Sequence, residues 1–337
     1  MSVRLEDISK HLGLSISTVS KALNGYSDIS PATKERIQEA ATALGYHPNM
    51  AARNLRRQRT EKIGMVVNYP INIVDDFLSE LIPGAALAAE RADYNLILYT
   101  SVAQHPERIS KICRAREVDG LLLLWPPQLE ETLDLMEKEQ IPYVVLPRRV
   151  PSKDVSYIAA DHESGGRMLT QHLIELGHTR IGFTSRPEMH ETNMDRYAGY
   201  CMALADAGIP LDESLVVETD GNDPQDGKRA IDTFLAMDVP PTAILFFTDP
   251  MAMQALAAAN ERGIRVPEEL SIAGHDGILT SGLTVPALTT VRQPIPQMGR
   301  LALECLLARI VDHNLSAAQH ILSVELVVRN STGQNSP

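Results

Sequence analysis

The sequence predicts a small all-α head followed by a larger α/β body. Residues 5–24 read as helix, turn and helix about Gly13, and from Ile63 onward short apolar runs alternate with helical stretches. Charge divides the chain at the same place. The 337 residues carry a net charge of −12, yet residues 1–62 hold ten Lys/Arg against six Asp/Glu, leaving +4 there and −16 on the remainder. A basic head on an acidic body fits phosphate contact by the head alone.

In the head, Ile8, Leu12, Leu14, Val19 and Leu23 fall where two crossed helices share a small core, and Ser15 is a good N-cap for the second helix. That leaves Ile16, Ser17, Ser20 and Lys21 exposed on its first turns, where such a helix would reach base edges and phosphates in a DNA major groove. Ser30-Pro31 then supplies an N-cap with proline at N1, Ile37, Ala40, Ala41 and Leu44 recur at helical spacing, and Gly45 ends the run. Taken alone, this spacing suits an ordinary three-helix bundle equally well. Next comes Asn49–Arg57, a short amphipathic stretch with Ala51, Ala52 and Leu55 among Arg53, Arg56 and Arg57, too short to be helical alone in water. Residues 56–62 form a polar linker.

For the body, strands are expected at Ile63–Val67, Leu96–Tyr99, Gly120–Leu124, Tyr143–Leu146, Ile181–Thr184, Ala243–Phe247 and Ser271–Ala273. Helices fit between them, for example Phe77–Ala92, Leu129–Lys138, Gly165–Leu176, Arg196–Ala207 and Met251–Arg262. This cadence gives parallel sheets covered by helices and says nothing of function by itself. Aromatic residues are scarce, which singles out Tyr69, Phe77, Trp125 and Phe247, because a flat ring packs against the apolar face of a bound small molecule. Phe77 opens a helix and Phe247 closes an apolar strand, so ordinary core packing suits either of them as well.

Several classes are disfavoured. No Gly-x-Gly-x-x-Gly, Walker loop, Gly-x-Ser-x-Gly or His-Glu-x-x-His pattern occurs, and His190-Glu191 lacks the second histidine of the last, so no enzyme is indicated. Cys113, Cys201 and Cys305 are far apart and outside metal-ligand spacing, so reduced thiols are expected, with no metal and no cofactor. The N-terminus lacks the zones of a signal peptide, and no apolar run approaches the ~18 residues that span a bilayer. A cytoplasmic protein with no membrane partner is expected.

The stretch Gly45-Tyr-His-Pro-Asn-Met-Ala-Ala-Arg-Asn-Leu-Arg-Arg57 strongly resembles the hinge of the lactose-repressor (LacI/GalR) family. Thr18-Val-Ser-Lys-Ala-Leu-Asn24 looks like the family's recognition helix. Asp161-His-Glu-Ser-Gly-Gly-Arg167 with Leu173-Ile-Glu-Leu-Gly-His178 resembles its mid-chain signature, and Val327-Val-Arg-Asn-Ser-Thr332 is similar to its closing strand. The resemblance covers essentially the whole chain in order. It implies a ligand-controlled transcription regulator, most often a repressor, with a helix-turn-helix domain at 1–48, a hinge helix and linker at 49–61, and an effector-binding and dimerisation domain at 62–332. The last would hold two periplasmic-binding-protein-like lobes with parallel sheets, 62–160 plus 291–322 and 161–290 plus 323–330, joined by three chain crossings. A sugar-binding transport protein is the competing class, but it would need a signal peptide and has no use for the head.

The same resemblance implies partners and roles. The partners are palindromic operator DNA, a small-molecule effector such as a sugar, and a second copy of the chain as a homodimer; no heptad extension follows Gly333–Pro337 to build a tetramer. DNA contacts would come from Ser15, Ile16, Ser17, Thr18, Ser20, Lys21 and Asn24 on the recognition helix and from Asn49, Ala52, Arg53 and Leu55 in the hinge, where Leu55 matches the position of a minor-groove wedge. Ile16 offers apolar contact to a thymine methyl, Ser17 donates or accepts, and Lys21 reaches guanine or phosphate without arginine's fork. In the effector cleft it implies Arg196, Asp249 and Asp276, at or near strand ends, with Asp161, Thr192 and Arg148 in second rank. Departures from the family pattern are Arg4 in place of a capping Thr, His275 in place of an aromatic, Thr248 in place of an Asn, and Pro250 after Asp249. For the dimer interface, the helix Phe77–Ala92 offers the stripe Leu78, Ile82, Ala85 and Ala89, which would alternatively pack on its own sheet.

Overall fold

The computed structural model describes residues 3–23, 26–46, 59–68, 76–100, 107–126, 128–152, 154–186, 191–219, 223 and 225–335. Asn24, the hinge residues Asn49, Ala52, Arg53 and Leu55, and Tyr69 lie outside the described residues. The chain divides into two compact units, residues 1–60 and 61–337.

The first unit holds α1 (Leu5–Leu12), α2 (Ile16–Leu23) and α3 (Pro31–Leu44). Arg4 offers no capping side chain, but its N–H donates to the Asp7 carboxylate at 2.8 Å, so an acid one turn in secures the start of α1. Gly13 ends α1 at φ 66° and Gly45 ends α3 at φ 69°, a backbone region glycine enters without steric cost. Ser15 and Ser30 hydroxyls accept from the N–H groups of Thr18 and Thr33 at 3.0 and 3.3 Å. Two-turn helices are unstable alone; here Ile8, Val19, Ala22, Ile37, Ala40 and Ala41 are buried together and hold all three.

The second unit begins with β1 (Lys62–Val67), α4 (Asp76–Arg91), β2 (Asn95–Tyr99), α5 (Glu107–Ala115), β3 (Gly120–Leu124), α6 (Leu129–Glu139), β4 (Tyr143–Leu146) and β5 (Tyr157–Ala160). It continues through α7 (His162–Glu175), β6 (Ile181–Ser185), α8 (Glu191–Asp206), β7 (Val216–Glu218), α9 (Asp226–Leu235), β8 (Ala243–Leu245) and α10 (Asp249–Glu261). It closes with β9 (Ser271–Asp276), β10 (Thr289–Arg292), α11 (Ile295–Val311), β11 (Gln319–Leu322) and β12 (Glu325–Val327). The strands form two sheets, ordered β11-β5-β4-β3-β1-β2 and β12-β10-β9-β8-β6-β7. All pairings are parallel except β12, which runs antiparallel to β10. The uniformly apolar runs follow from this: Leu121 to Leu124 of β3 are all fully buried because helices cover both faces. The chain passes from the first sheet to the second between β5 and α7, returns between β10 and α11, and passes again between β11 and β12.

Two strands differ from expectation in a way that matters for the cleft. β8 ends at Leu245, whereas β9 runs on to Asp276, because Gly274, His275 and Asp276 pair with Thr290, Val291 and Arg292 of β10. The strand thereby carries His275 and Asp276 to the end of its sheet. The α4 stripe proposed for a dimer interface is corrected: Leu78, Ala85 and Ala89 are buried in the first lobe's core beside Ile295, Met298 and Ala302 of α11, and Ile82 packs against the same cluster. The helix spends its apolar face within its own lobe and leaves Leu87 exposed.

Helices α7 and α8 cross through glycines. Gly166 lies against the backbone of Arg196, and Gly199 against the backbone of Glu163, with no room for a Cβ at either. Gly199→Ala is therefore expected to force the helices apart and cost about 1–3 kcal/mol as an overpacked core. Urea unfolding reads this directly, and an unchanged midpoint would contradict the close packing.

Candidate functional site

On the first unit, α2 presents the residues singled out from the sequence. Ile16 is 47% exposed, Ser15, Ser17 and Lys21 are exposed, and Thr18 and Ser20 are half-buried. Leu5, Ile16, Ser17, Ser20, Lys21 and Tyr26 line a surface groove of about 420 Å³. Two refinements follow. Ser15 and Thr18 are engaged with each other, hydroxyl to hydroxyl at 2.8 Å, as the cap of α2, and Lys21 Nζ rests on Asp28 at 2.5 Å. Tyr26, 49% exposed beyond the helix, joins the groove although no spacing argument identifies it.

In the second unit, the C-terminal ends of the strands gather the charged side chains. Arg196, on the second turn of α8, is 3% exposed. Its Nη2 donates to Asp276 Oδ1 at 2.8 Å, its Nη1 donates to the Phe247 carbonyl, and Nε and Nη2 both face His162 Nδ1 at 3.4 Å. Gln293, in the crossing after β10, donates from Nε2 to the same Asp276 oxygen at 2.8 Å. Asp276 itself has φ 137°, an unusual backbone for a residue with a Cβ, so the end of β9 is held in a strained conformation by its partners.

Electrostatics here follow from burial. Desolvation, with help from the Arg196 charge, holds the His162 and His275 imidazoles well below their usual pKa, so both are neutral. Because His162 accepts at Nδ1, its proton sits on Nε2. Burial pushes the Asp249 carboxyl up to about 7, and Asp276 adds to that shift; Asp276 is also raised by burial, against the pull of Arg196.

The other sequence candidates fall into distinct places. Asp249 is fully buried at the start of α10 and accepts from Thr290 Oγ1 and from the Ile278 N–H at 3.0 Å, so it braces the segment after β9 and reaches no solvent. Asp161 caps α7, accepting from Ser164 N and Oγ at 3.1 and 2.7 Å. The Phe247 ring is buried, with the Arg186 guanidinium 5.5 Å from its centre. Phe77 and Trp125 form a tilted pair, ring centres 5.4 Å apart, on the first lobe. Thr192 is half-buried on the first turn of α8, and Arg148 Nε, just beyond β4, faces Glu191 Oε2 across the lobes at 3.7 Å. Further contacts join the lobes: Arg149 to Asp195, the Thr280 hydroxyl to Asp76, and the Leu279 N–H to Glu80 at 3.1 Å.

His162, Asn193, Gln293, Arg149 and Asp195 escape the sequence reading. The signal they carry is structural: His162 Nε2, Asn193 Oδ1 and Gln293 Oε1 are buried polar atoms without a hydrogen-bond partner, as are Arg148 Nε and Glu191 Oε2. Buried polar groups are normally paired, and these atoms lie on residues in or next to the Arg196–Asp276 and Arg148–Glu191 contacts. Among the described residues no group of three His, Cys, Asp or Glu could hold a metal ion, and no helix is long and apolar enough to cross a membrane.

Comparison with known proteins agrees with both units. Residues 4–49 match bacterial regulatory proteins of the lacI family, and residues 170–332 match a periplasmic binding protein-like domain. The HTH-type transcriptional repressor PurR of Vibrio atlanticus (strain LGP32) is 32% identical over 331 residues, covering 97% of this chain and 98% of its own. The solved complex of the transcriptional regulator CelR with cellobiose superposes with a TM-score of 0.74 at 31% identity, over 98% of this chain and 99% of that one. The lac repressor dimer bound to operator and the anti-inducer ONPF superposes with a TM-score of 0.83 at 25% identity, over 99% and 100%. These relatives are transcriptional regulators, not enzymes.

Proposed function

The chain belongs to the LacI family of bacterial regulatory proteins and is a transcriptional repressor of that family; from this premise we propose that α2 reads a palindromic operator and that a small-molecule effector, a sugar or related metabolite, binds between the two lobes. One observation carries the reading: a single chain joins a helix-turn-helix face of Ile16, Ser17, Ser20 and Lys21 to a body whose Arg196–Asp276 pair lies among unsatisfied polar atoms at the lobe boundary. The cellobiose complex of CelR and the operator complex of the lac repressor support the two halves separately.

Within this reading Arg196, Asp276, Thr192 and Arg148 contact the effector, Phe77, Trp125 and Tyr69 supply apolar faces, and Asp249, Asp161 and Phe247 position them. Asn49, Ala52, Arg53 and Leu55 would act at the minor groove beside Asn24 and the α2 face. Binding to a short palindrome is expected to weaken steeply with salt, and substitution of Ile16 or Ser17 to change which bases are preferred, each lost base contact costing about 1–3 kcal/mol. Selection of binding sites from a random duplex pool checks this; identical preferences in wild type and variants would sink the assignment of α2.

The partner of the body is a second copy of the chain, since two heads on a two-fold axis match a palindrome. With the α4 stripe spent on its own core, the apolar surface that remains includes Leu279, Leu283 and Val285, 76%, 77% and 94% exposed within one short stretch after β9. Light scattering across a concentration series, with and without operator, is expected to give a dimer. A monomer on DNA, or a tetramer without it, would contradict the proposal.

A further inference from the structure

We infer that the cleft selects uncharged, hydroxyl-bearing effectors and rejects phosphorylated or carboxylated ones, an inference that rests on the effector reading above. Its basis is charge balance together with the hydrogen-bonding capacity left unused. Three arginines stand at the lobe boundary and each faces a carboxylate: Arg148 with Glu191, Arg149 with Asp195, and Arg196 with Asp276. Glu191, Asp195 and Arg196 project from the first two turns of α8, whereas Arg148 and Arg149 follow β4 on the other lobe, so two of these pairs form across the cleft itself. The neighbouring imidazoles of His162 and His275 contribute no positive charge, being buried and neutral. Arg186 is also engaged, with its guanidinium over the Phe247 ring.

Arg196 illustrates the consequence. A guanidinium has five N–H bonds and grips an anion through two adjacent ones in parallel. Here Nε and one Nη2 hydrogen face His162, the second Nη2 hydrogen goes to Asp276, and one Nη1 hydrogen goes to the Phe247 carbonyl. A single Nη1 hydrogen remains, enough for one hydroxyl and insufficient for a two-point grip on a phosphate or carboxylate.

The unsatisfied atoms point the same way. Glu191 Oε2, Asn193 Oδ1 and Gln293 Oε1 are buried acceptors without partners, Arg148 Nε and His162 Nε2 are buried donors without partners, and the neutral His275 ring offers one of each. Hydroxyls fit this set because each both donates and accepts; one hydroxyl placed between Arg148 Nε and Glu191 Oε2, 3.7 Å apart, would satisfy both. A phosphate would set its oxygens against oxygens, leaving buried acceptors unpaired, the situation that discriminates most strongly between ligands.

The test uses the full chain with matched probes: glucose, ribose and cellobiose against glucose 6-phosphate, ribose 5-phosphate and inorganic phosphate, by thermal shift and calorimetry at constant ionic strength. Wild type is expected to show no saturable binding of the phosphorylated probes at millimolar concentration. Asp276→Asn, which uncovers the Arg196 charge, is expected to bind inorganic phosphate at least about tenfold more tightly than wild type, roughly 1.4 kcal/mol. Adding Arg196→Ala to that variant should remove the gain and thereby exclude the basic head as its source. If Asp276→Asn does not fold, Asp195→Asn uncovers Arg149 and is read in the same way. Saturable binding of glucose 6-phosphate to wild type that is lost in Arg196→Ala overturns the proposal, as does a folded uncovering variant with no gain. A phosphorylated effector acting through Arg196 would overturn the selectivity while keeping the regulator reading; an effector response of operator binding that survives every cleft variant would remove the reading itself.

Discussion

Arg196→Ala is expected to abolish the effector response while operator affinity without effector stays at the wild-type level. The guanidinium is 3% exposed and ties together α8, the end of β8 through the Phe247 carbonyl, the end of β9 through Asp276, and α7 through His162. Removing it deletes the proposed effector contact and leaves the half-buried Asp276 without its counter-charge, so the body should also lose about 3–5 kcal/mol of stability. Operator affinity is spared because it resides in the separate head, whose core contains no residue of the body. Gel shifts with and without effector, together with urea unfolding, separate the two effects. A variant that still responds at the wild-type effector concentration would take Arg196 out of the site.

The second large effect is in pH. His162 and His275 have pKa values well below the ordinary 6.5, so as pH falls below that value the unfolded chain takes up protons that the folded one refuses, and stability falls by about 1.4 kcal/mol per pH unit for each. Asp249 works in the opposite sense. Raised to about 7 in the fold from 3.8, it binds a proton more tightly when folded, so its contribution is fully present below pH 3.8 and disappears as pH rises through 7; Asp276 is shifted the same way. Acidification from pH 7 to 4 therefore sets two opposing contributions against each other. Asp249→Asn removes one of them and is expected to steepen the acid-side loss by about 1.4 kcal/mol per pH unit relative to wild type. Parallel stability profiles for the two proteins, from urea midpoints at half-unit pH steps, would show that Asp249 does not hold its proton near neutrality.

The fold is legible in the sequence wherever local pattern and tertiary burial agree. β3, β4 and β1 after Lys62 are apolar because both faces are covered, and the caps at Ser15, Ser30 and Gly45 announce the head helices. β10 is not legible: Thr289 and Thr290 are fully buried only because Ser331 and Asp249, about forty residues away on either side, pair with them. β5, β7 and β11 are three or four residues long and lack the sustained pattern that identifies a strand. The same limit applies to the cleft. Arg196 and Asp276 belong to recognisable motifs, whereas His162 and Gln293 matter only because α7 and the crossing after β10 bring them to the same carboxylate and guanidinium. Asp161 and Asp249 show the converse, since a carboxylate near a strand end caps a helix or braces a turn as readily as it faces a ligand.

The three chain crossings set the mechanics of the body. The strands they leave, β5, β10 and β11, and those the last two reach, β11 and β12, are adjacent at one margin of each sheet, whereas the first crossing enters α7 before reaching β6; β2 and β7 form the opposite margins. Tethers gathered at one side convert any relative movement of the lobes into rotation about that side, as in a book held by its spine. With neighbouring strands about 4.8 Å apart, the far margin lies roughly 24 Å from the tethers, so a turn of about 10° carries β2 and β7 past one another by roughly 4 Å while the spine scarcely moves. The ion pairs anchored on β4 and α8 lie between spine and margin, and a ligand that tightens or breaks them works with leverage on whatever is attached beyond.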